Sequence, residues 1–136
     1  MIYLDSAAVV KLARQEAHSS DLVGWLNSQR GVPLVSSALI EVEVPRALRR
    51  AAPQALVGVP AAIGRLFRLE IDATIRATAA AFAEPTLRSL DAIHLATAQI
   101  LANESGPTLT AFVTYDQRLL ACAAAAGLPT ASPGLP

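Results

Sequence analysis

A chain of 136 residues has room for one compact domain with a single core, so residues 1–136 are expected to form one domain rather than two. With 53% apolar and only 16% charged residues it is not a disordered chain, and a formal net charge of zero excludes a globally basic nucleic-acid binder. Cys122 stands alone, which excludes an intrachain disulfide and a cysteine-rich metal site and leaves it as a small core residue in a run of alanines.

Charge type says more than the sum. Lys11 is the only lysine, and the arginines that make up the other cations suit carboxylate and phosphate recognition. Much of the apolar content is alanine, which packs helices closely but buries little area per residue, so some apolar surface is expected to remain for a second subunit or partner. No apolar run approaches the ~18 residues needed to cross a bilayer. Met1 to Asp5 has no basic region leading into an apolar stretch, so no signal peptide is read there, and a soluble, cytoplasmic protein is expected.

In chain order, Ile2-Tyr3-Leu4 reads as a β-strand that ends abruptly at Asp5-Ser6, with a helix following over 6–14. A second helix is predicted over 20–28, with Leu22, Trp25 and Leu26 on one face. Pro33-Leu34-Val35 reads as the next strand, closed by Ser36-Ser37, either of which suits the cap of a helix over 38–50. Residues 54–66 read as helical despite Gly58, Pro60 and Gly64, and 69–71 as a short strand before Asp72. Helices are predicted over 73–83, up to Pro85, and over 91–103. Leu109 to Thr114 reads as a buried strand, Asp116 opens a last helix that stops at Gly127, and 128–132 closes the chain as a short strand. Strands alternating with helices through short connections give an α/β domain with a mainly parallel sheet. Functional groups in such sheets sit just beyond the carboxyl ends of strands, where the strand order reverses. Asp5 and Asp116 both fall at such ends.

Each acid also has a plain structural reading. Asp5 and Asp116 suit helix N-caps, and Asp91 at the start of an almost wholly apolar helix needs a cap, an arginine such as Arg88, or a metal to compensate it. Glu41 and Glu43 are two residues apart, so on a helix they face nearly opposite ways and only one can enter a shared site. Spacing alone does not choose between them. Four carboxylates brought together would repel and oppose folding without a cation, and an all-oxygen donor set suits magnesium or manganese rather than zinc.

Four segments, in order, are similar to the PIN-domain family and in particular to the VapC-type toxins of bacterial toxin–antitoxin pairs. They are Ile2-Tyr3-Leu4-Asp5-Ser6-Ala7, the helix from Ser37 to Arg50, Leu90-Asp91-Ala92-Ile93-His94-Leu95-Ala96, and Thr114-Tyr115-Asp116-Gln117-Arg118-Leu119. The third is the most specific. The resemblance spans almost the whole chain and implies a three-layer α/β/α PIN-like domain that cleaves RNA. It matches Glu43, not Glu41, to the family's glutamate, giving Asp5, Glu43, Asp91 and Asp116 as the catalytic set. Asp5, Asp91 and Asp116 would then hold Mg²⁺ or Mn²⁺, with Glu43 a further ligand or the base beside it. Hydrolysis by metal-activated water would leave a 5′-phosphate and a 3′-hydroxyl.

The implied partners are an RNA substrate (a transfer or ribosomal RNA in many relatives), a small antitoxin protein and a second copy of the chain in a homodimer, with no membrane. Ser6 and Thr114 are candidates to orient ligands, and Arg46, Arg88 and Arg118 to meet phosphate, while His94, one helical turn from Asp91, reads either as a packed core histidine, the preferred reading, or as a residue that touches the site. One departure stands out: Pro45 lies inside the glutamate-bearing helix, cannot donate to the carbonyl of Glu41, and is expected to kink it and disturb the direction of Glu43. A non-catalytic PIN-like module that binds RNA or protein is the alternative. A phosphohydrolase with an aspartyl nucleophile would want a second acid where this chain has Ala7.

Overall fold

The computed structural model describes residues 1–104 and 106–136. Five short strands, β1 (Ile2–Leu4), β2 (Leu34–Ser37), β3 (Phe67–Leu69), β4 (Ala111–Val113) and β5 (Thr130–Ala131), form one sheet in the order β3-β2-β1-β4-β5. Every pairing is parallel. The helices are α1 (Ser6–Ala13), α2 (Ser19–Ser28), α3 (Ile40–Ala51), α4 (Val59–Gly64), α5 (Ala73–Ala80), α6 (Ser89–Asn103) and α7 (Gln117–Ala125). A 3-10 turn over Pro53–Gly58 leads into α4.

The sheet is central because its middle strands are apolar on both faces, as parallel strands covered by helices must be. Side chains alternate across it. Ile2, Leu4, Ala111 and Val113 enter one core with Val9, Leu22, Val44 and Leu48 from α1 to α3. Tyr3, Val35 and Phe112 enter the other with Leu95 and Leu101 of α6 and Leu119 and Ala123 of α7. Tyr3 and Phe112 are register partners, and their rings stack at 5.2 Å between centroids. This is a three-layer α/β/α arrangement. Fully burying each large apolar side chain contributes roughly 1.5–3 kcal/mol, so the two cores hold the layers together.

Several boundaries differ from the sequence reading. The third strand is 67–69 rather than 69–71: its pairing with β2 sets Leu69 opposite Ser37, and an edge strand with Phe67 exposed carries little hydrophobic pattern to fix its register. Ser36 and Ser37 belong to β2, and α3 begins at Ile40; both serines are buried, the Ser36 hydroxyl donates to the Leu4 carbonyl, and the Ser37 hydroxyl accepts from the amide of Leu39, the residue that leads into α3. The helix predicted over 54–66 divides into a 3-10 turn and α4. Helix α5 ends at Ala80, α6 begins at Ser89 with Arg88 as its N-cap residue, and the last two strands are shorter than expected. Pro45 does not interrupt α3, which runs unbroken from Ile40 to Ala51. Among the described residues, no helix is long and apolar enough to cross a membrane.

Candidate active site

The chain runs outward from β1 to β2 and β3, then returns to the other side of β1 to add β4 and β5. The order reverses between β1 and β4, and a crevice opens beyond their carboxyl ends. A cavity of about 550 Å³ lies there, and Asp5, Glu43, Asp91 and Asp116 all line it. The four acids come from four different elements: the ends of β1 and β4, helix α3 and the first turn of α6.

Asp5 is buried, and both of its oxygens are engaged. Oδ1 accepts from the Ala8 amide at 2.9 Å, capping α1, and Oδ2 accepts from the Thr114 hydroxyl at 2.6 Å. Burial pushes its carboxyl up from the ordinary 3.8; the His94 ring, Thr114 and Ala8 pull it down by less, and nearby Asp91 adds to the rise. Asp116 caps α7, with Oδ1 accepting from the amides of Arg118 and Leu119. Its own amide donates to the Thr114 hydroxyl oxygen at 3.1 Å, so Thr114 ties the two strand-end acids together.

Asp91 lies inside the first turn of α6, where the helix N-terminus favours a negative charge. Its carboxyl is nevertheless pushed up: burial outweighs the pull of Arg88, and Asp116 and Glu43 add to the rise. Arg88 spans the two neighbouring acids, with Nε 3.5 Å from Asp91 and Nη2 3.5 Å from Asp116. The expected counter-ion of Asp91 thus serves both acids.

Glu43 is the member of the Glu41–Glu43 pair that faces the cavity. Glu41 is on the outer side of α3, 3.6 Å from Arg68. The Glu43 Oε1 atom accepts from the Ser6 hydroxyl at 2.5 Å and lies 2.9 Å from His94 Nε2. Burial is the largest single influence and raises the Glu43 carboxyl, but the bonds from His94 and Ser6, together with nearby positive charge including Arg88, outweigh it and hold it below the ordinary 4.5.

His94 is buried like the core residue the sequence suggested, yet its ring also reaches the cavity and touches Glu43 and Ser6. Its position one helical turn after Asp91 was the available signal. Of the arginines read as phosphate contacts, Arg46 and Arg88 line the cavity, whereas Arg118 lies on a separate groove between α7 and the segment after α5. Arg50 also lines the cavity and was missed, although Glu43, Arg46 and Arg50 share a helical face at spacings of three and four.

As placed, the acids are turned toward these local partners, and among the described residues no three His, Cys, Asp or Glu side chains stand close enough to hold one ion. The donor set still fits a hard cation. It is all oxygen, burial disfavours the charge on two of its members, and Asp91 and Asp116 already share a positive group in Arg88. The Arg88 side chain is 72% exposed.

A profile of the PIN domain matches residues 2–126. The chain is 52% identical over 134 residues to Ribonuclease VapC35 of Mycobacterium tuberculosis, with 98% of each chain covered. It is 39% identical to Ribonuclease VapC47 of the same species, again over 98% of each. Among solved structures it is similar to the crystal structure of M. tuberculosis VapC20, described as a sarcin-ricin loop cleaving toxin. There the TM-score is 0.71 at 15% identity, over 94% of this chain and 96% of the other. That likeness extends the fold alone.

Proposed function

The chain belongs to the PIN-domain family, and we propose that within it the protein is a metal-dependent endoribonuclease, the toxin of a toxin–antitoxin pair. The observation that carries this reading is the meeting of four acids from four elements in one cavity at the switch point of the sheet. Near-full-length similarity to chains named as ribonucleases supports it. An RNA substrate, a small antitoxin and a homodimer are the partners it implies.

Asp5, Asp91 and Asp116 would hold Mg²⁺, with Mn²⁺ as a substitute, once Arg88 rotates out from between the last two. When bound, the metal supplies positive charge against the phosphoryl oxygens and lowers the pKa of water. The rest falls to the chain's own side chains. Glu43, kept ionised by Ser6 and His94, accepts a hydrogen bond from the attacking water and takes its proton. Arg46 and Arg50, on the same face of α3, hold the phosphates on either side of the scissile one, and the displaced Arg88 is free to join them. Thr114 holds the Asp5 carboxylate still from behind.

Cleavage of RNA in Mg²⁺, abolished by EDTA and restored by excess Mg²⁺, is the expected result. RNA binding without cleavage under the same conditions would favour the non-catalytic module instead.

Thermal melting gives a second test with a sign fixed by the acids. Asp5 and Asp91 hold their protons more tightly when folded, so each lowers stability as pH rises past 3.8, and the loss is complete above its folded value. Glu43 behaves oppositely: its stabilising contribution is full above 4.5 and fades as pH falls through its lowered folded value. A cation offsets the first effect only where Asp5 and Asp91 are ionised. Millimolar Mg²⁺ should therefore raise the melting temperature at neutral pH, by about 2.7 kcal/mol of stability at ~100 times its Kd, and the rise should shrink as pH falls into the carboxylate range. A shift that does not depend on pH would separate metal binding from these acids.

A further inference from the structure

Three of the four acids are short side chains held by something rigid or charged beside them. Backbone amides fix Asp5 and Asp116, and Arg88 flanks Asp91. Glu43 has one more rotor than they do, and holding a longer side chain in one geometry costs more entropy. Among the described residues its carboxylate takes hydrogen bonds only from Ser6 and His94, both on Oε1, and none falls on Oε2.

His94 itself is anchored in the core. Its Nδ1 lies 2.8 Å from the hydroxyl of Tyr3, a fully buried residue of β1 whose ring stacks on Phe112 and meets the imidazole edge-on. In a neutral imidazole one nitrogen donates and the other accepts. An ionised carboxylate can only accept, so the ring proton belongs on Nε2, facing Glu43, and Nδ1 accepts from the Tyr3 hydroxyl. Burial pushes the Tyr3 phenol far up, which keeps that hydroxyl protonated and donating. A histidine that merely filled space would need neither bond.

We infer that His94 is a positioning residue: Tyr3 sets its tautomer and ring angle, and its Nε2–H holds Oε1 of Glu43 so that Oε2 is presented to the cavity. The kinetic consequence rests on the nuclease reading above; the tautomer does not. In structural terms this is a rigid line from the middle strand of the sheet to the one acid its own helix leaves loose. Outer partners of this kind are typically worth 10–100-fold in activity when removed.

The tautomer is read by ¹⁵N NMR of the histidine side chains in the intact protein, with the proton expected on Nε2. A proton on Nδ1, alone or together with one on Nε2, overturns the inference, whatever the enzyme does. Single-turnover RNA cleavage and RNA affinity are then measured for His94→Leu, His94→Gln and Tyr3→Phe, with melting curves for each. His94→Leu should cleave about 10–100-fold more slowly with RNA affinity unchanged. His94→Gln, whose amide N–H can take the place of Nε2–H, should recover most of that loss, and Tyr3→Phe should show a smaller one.

A folded His94→Leu protein that cleaves at the wild-type rate overturns the role, as does a folded His94→Gln protein no better than the leucine variant. Should the leucine variant fail to fold, His94→Gln, Tyr3→Phe and the tautomer decide. Absence of cleavage by the wild type itself would count against the nuclease reading, leaving the tautomer to judge His94.

Discussion

Asp91→Asn is expected to lower RNA cleavage by at least about 10²–10³-fold while leaving a folded protein that melts no lower in EDTA than the wild type. The two halves of that expectation have one cause. Asp91 is partly buried beside Asp116 and Glu43, and its carboxyl is pushed above the ordinary range, so its charge opposes the fold. An amide of the same shape removes that charge. On the metal-dependent nuclease reading proposed above, it would also remove a cation ligand and leave the site one negative charge short of what would hold the metal. Arg88 loses one partner but keeps Asp116. Asp91 is a cleaner probe than Asp5, whose carboxylate is tied to Ala8 and Thr114 so closely that an amide there must reorganise both bonds. Glu41→Gln is the matched control, because Glu41 lies on the outer face of α3 against Arg68 and its loss should leave the rate unchanged. Full activity in folded Asp91→Asn protein would remove the site assignment.

Much of this site could be read from the chain because two of its acids are local events. An apolar triplet that stops dead at Asp5, and a buried strand that gives way to Thr114-Tyr115-Asp116, place carboxylates at strand ends without any knowledge of the tertiary structure. Glu43 is different. Which of Glu41 and Glu43 enters the cavity depends on the rotation of α3 against the sheet, and that is set by Ile40, Val44 and Leu48 docking into the core. Their spacing of four fixes a buried stripe with Glu41 on one flank and Glu43 on the other, but the spacing does not say which flank faces the crevice. Pro45 was expected to disturb that geometry. It sits on the half-exposed side of α3, and the helix continues unbroken through it, with Ile40, Val44 and Leu48 buried.

The two readings of His94 turned out not to exclude each other, for a related reason. A histidine in an apolar helix signals burial, and burial was right, but the ring has two ends. One reaches Tyr3 in the core and the other reaches Glu43, and the second contact belongs to helix packing rather than to sequence spacing. Strand β3 was misplaced by two residues because hydrophobic alternation cannot fix the register of an edge strand that is exposed over most of its length.

Thr114→Val should destabilise the protein by about 1–3 kcal/mol, since it keeps the volume and deletes a hydroxyl that serves the buried Asp5 carboxylate and the part-buried Asp116 amide. That hydroxyl donates to Asp5 Oδ2 at 2.6 Å and accepts from the Asp116 amide at 3.1 Å, at a position with no solvent exposure. Valine leaves the buried carboxylate oxygen without its donor and the amide without its acceptor. The size of the loss should follow the charge on Asp5. Its carboxyl is already raised by burial, and without Thr114 it rises further, so the penalty is greatest at neutral pH and shrinks as acid protonates the group. Mg²⁺ should return part of the lost stability, because a cation against Asp5 replaces the missing positive end of the hydroxyl dipole. Melting curves of wild type and Thr114→Val, with and without Mg²⁺ at neutral and acid pH, test all three statements together. A uniform loss, indifferent to pH and metal, would mean that Thr114 supports only the cap of α7 and that Asp5 is held by its own helix.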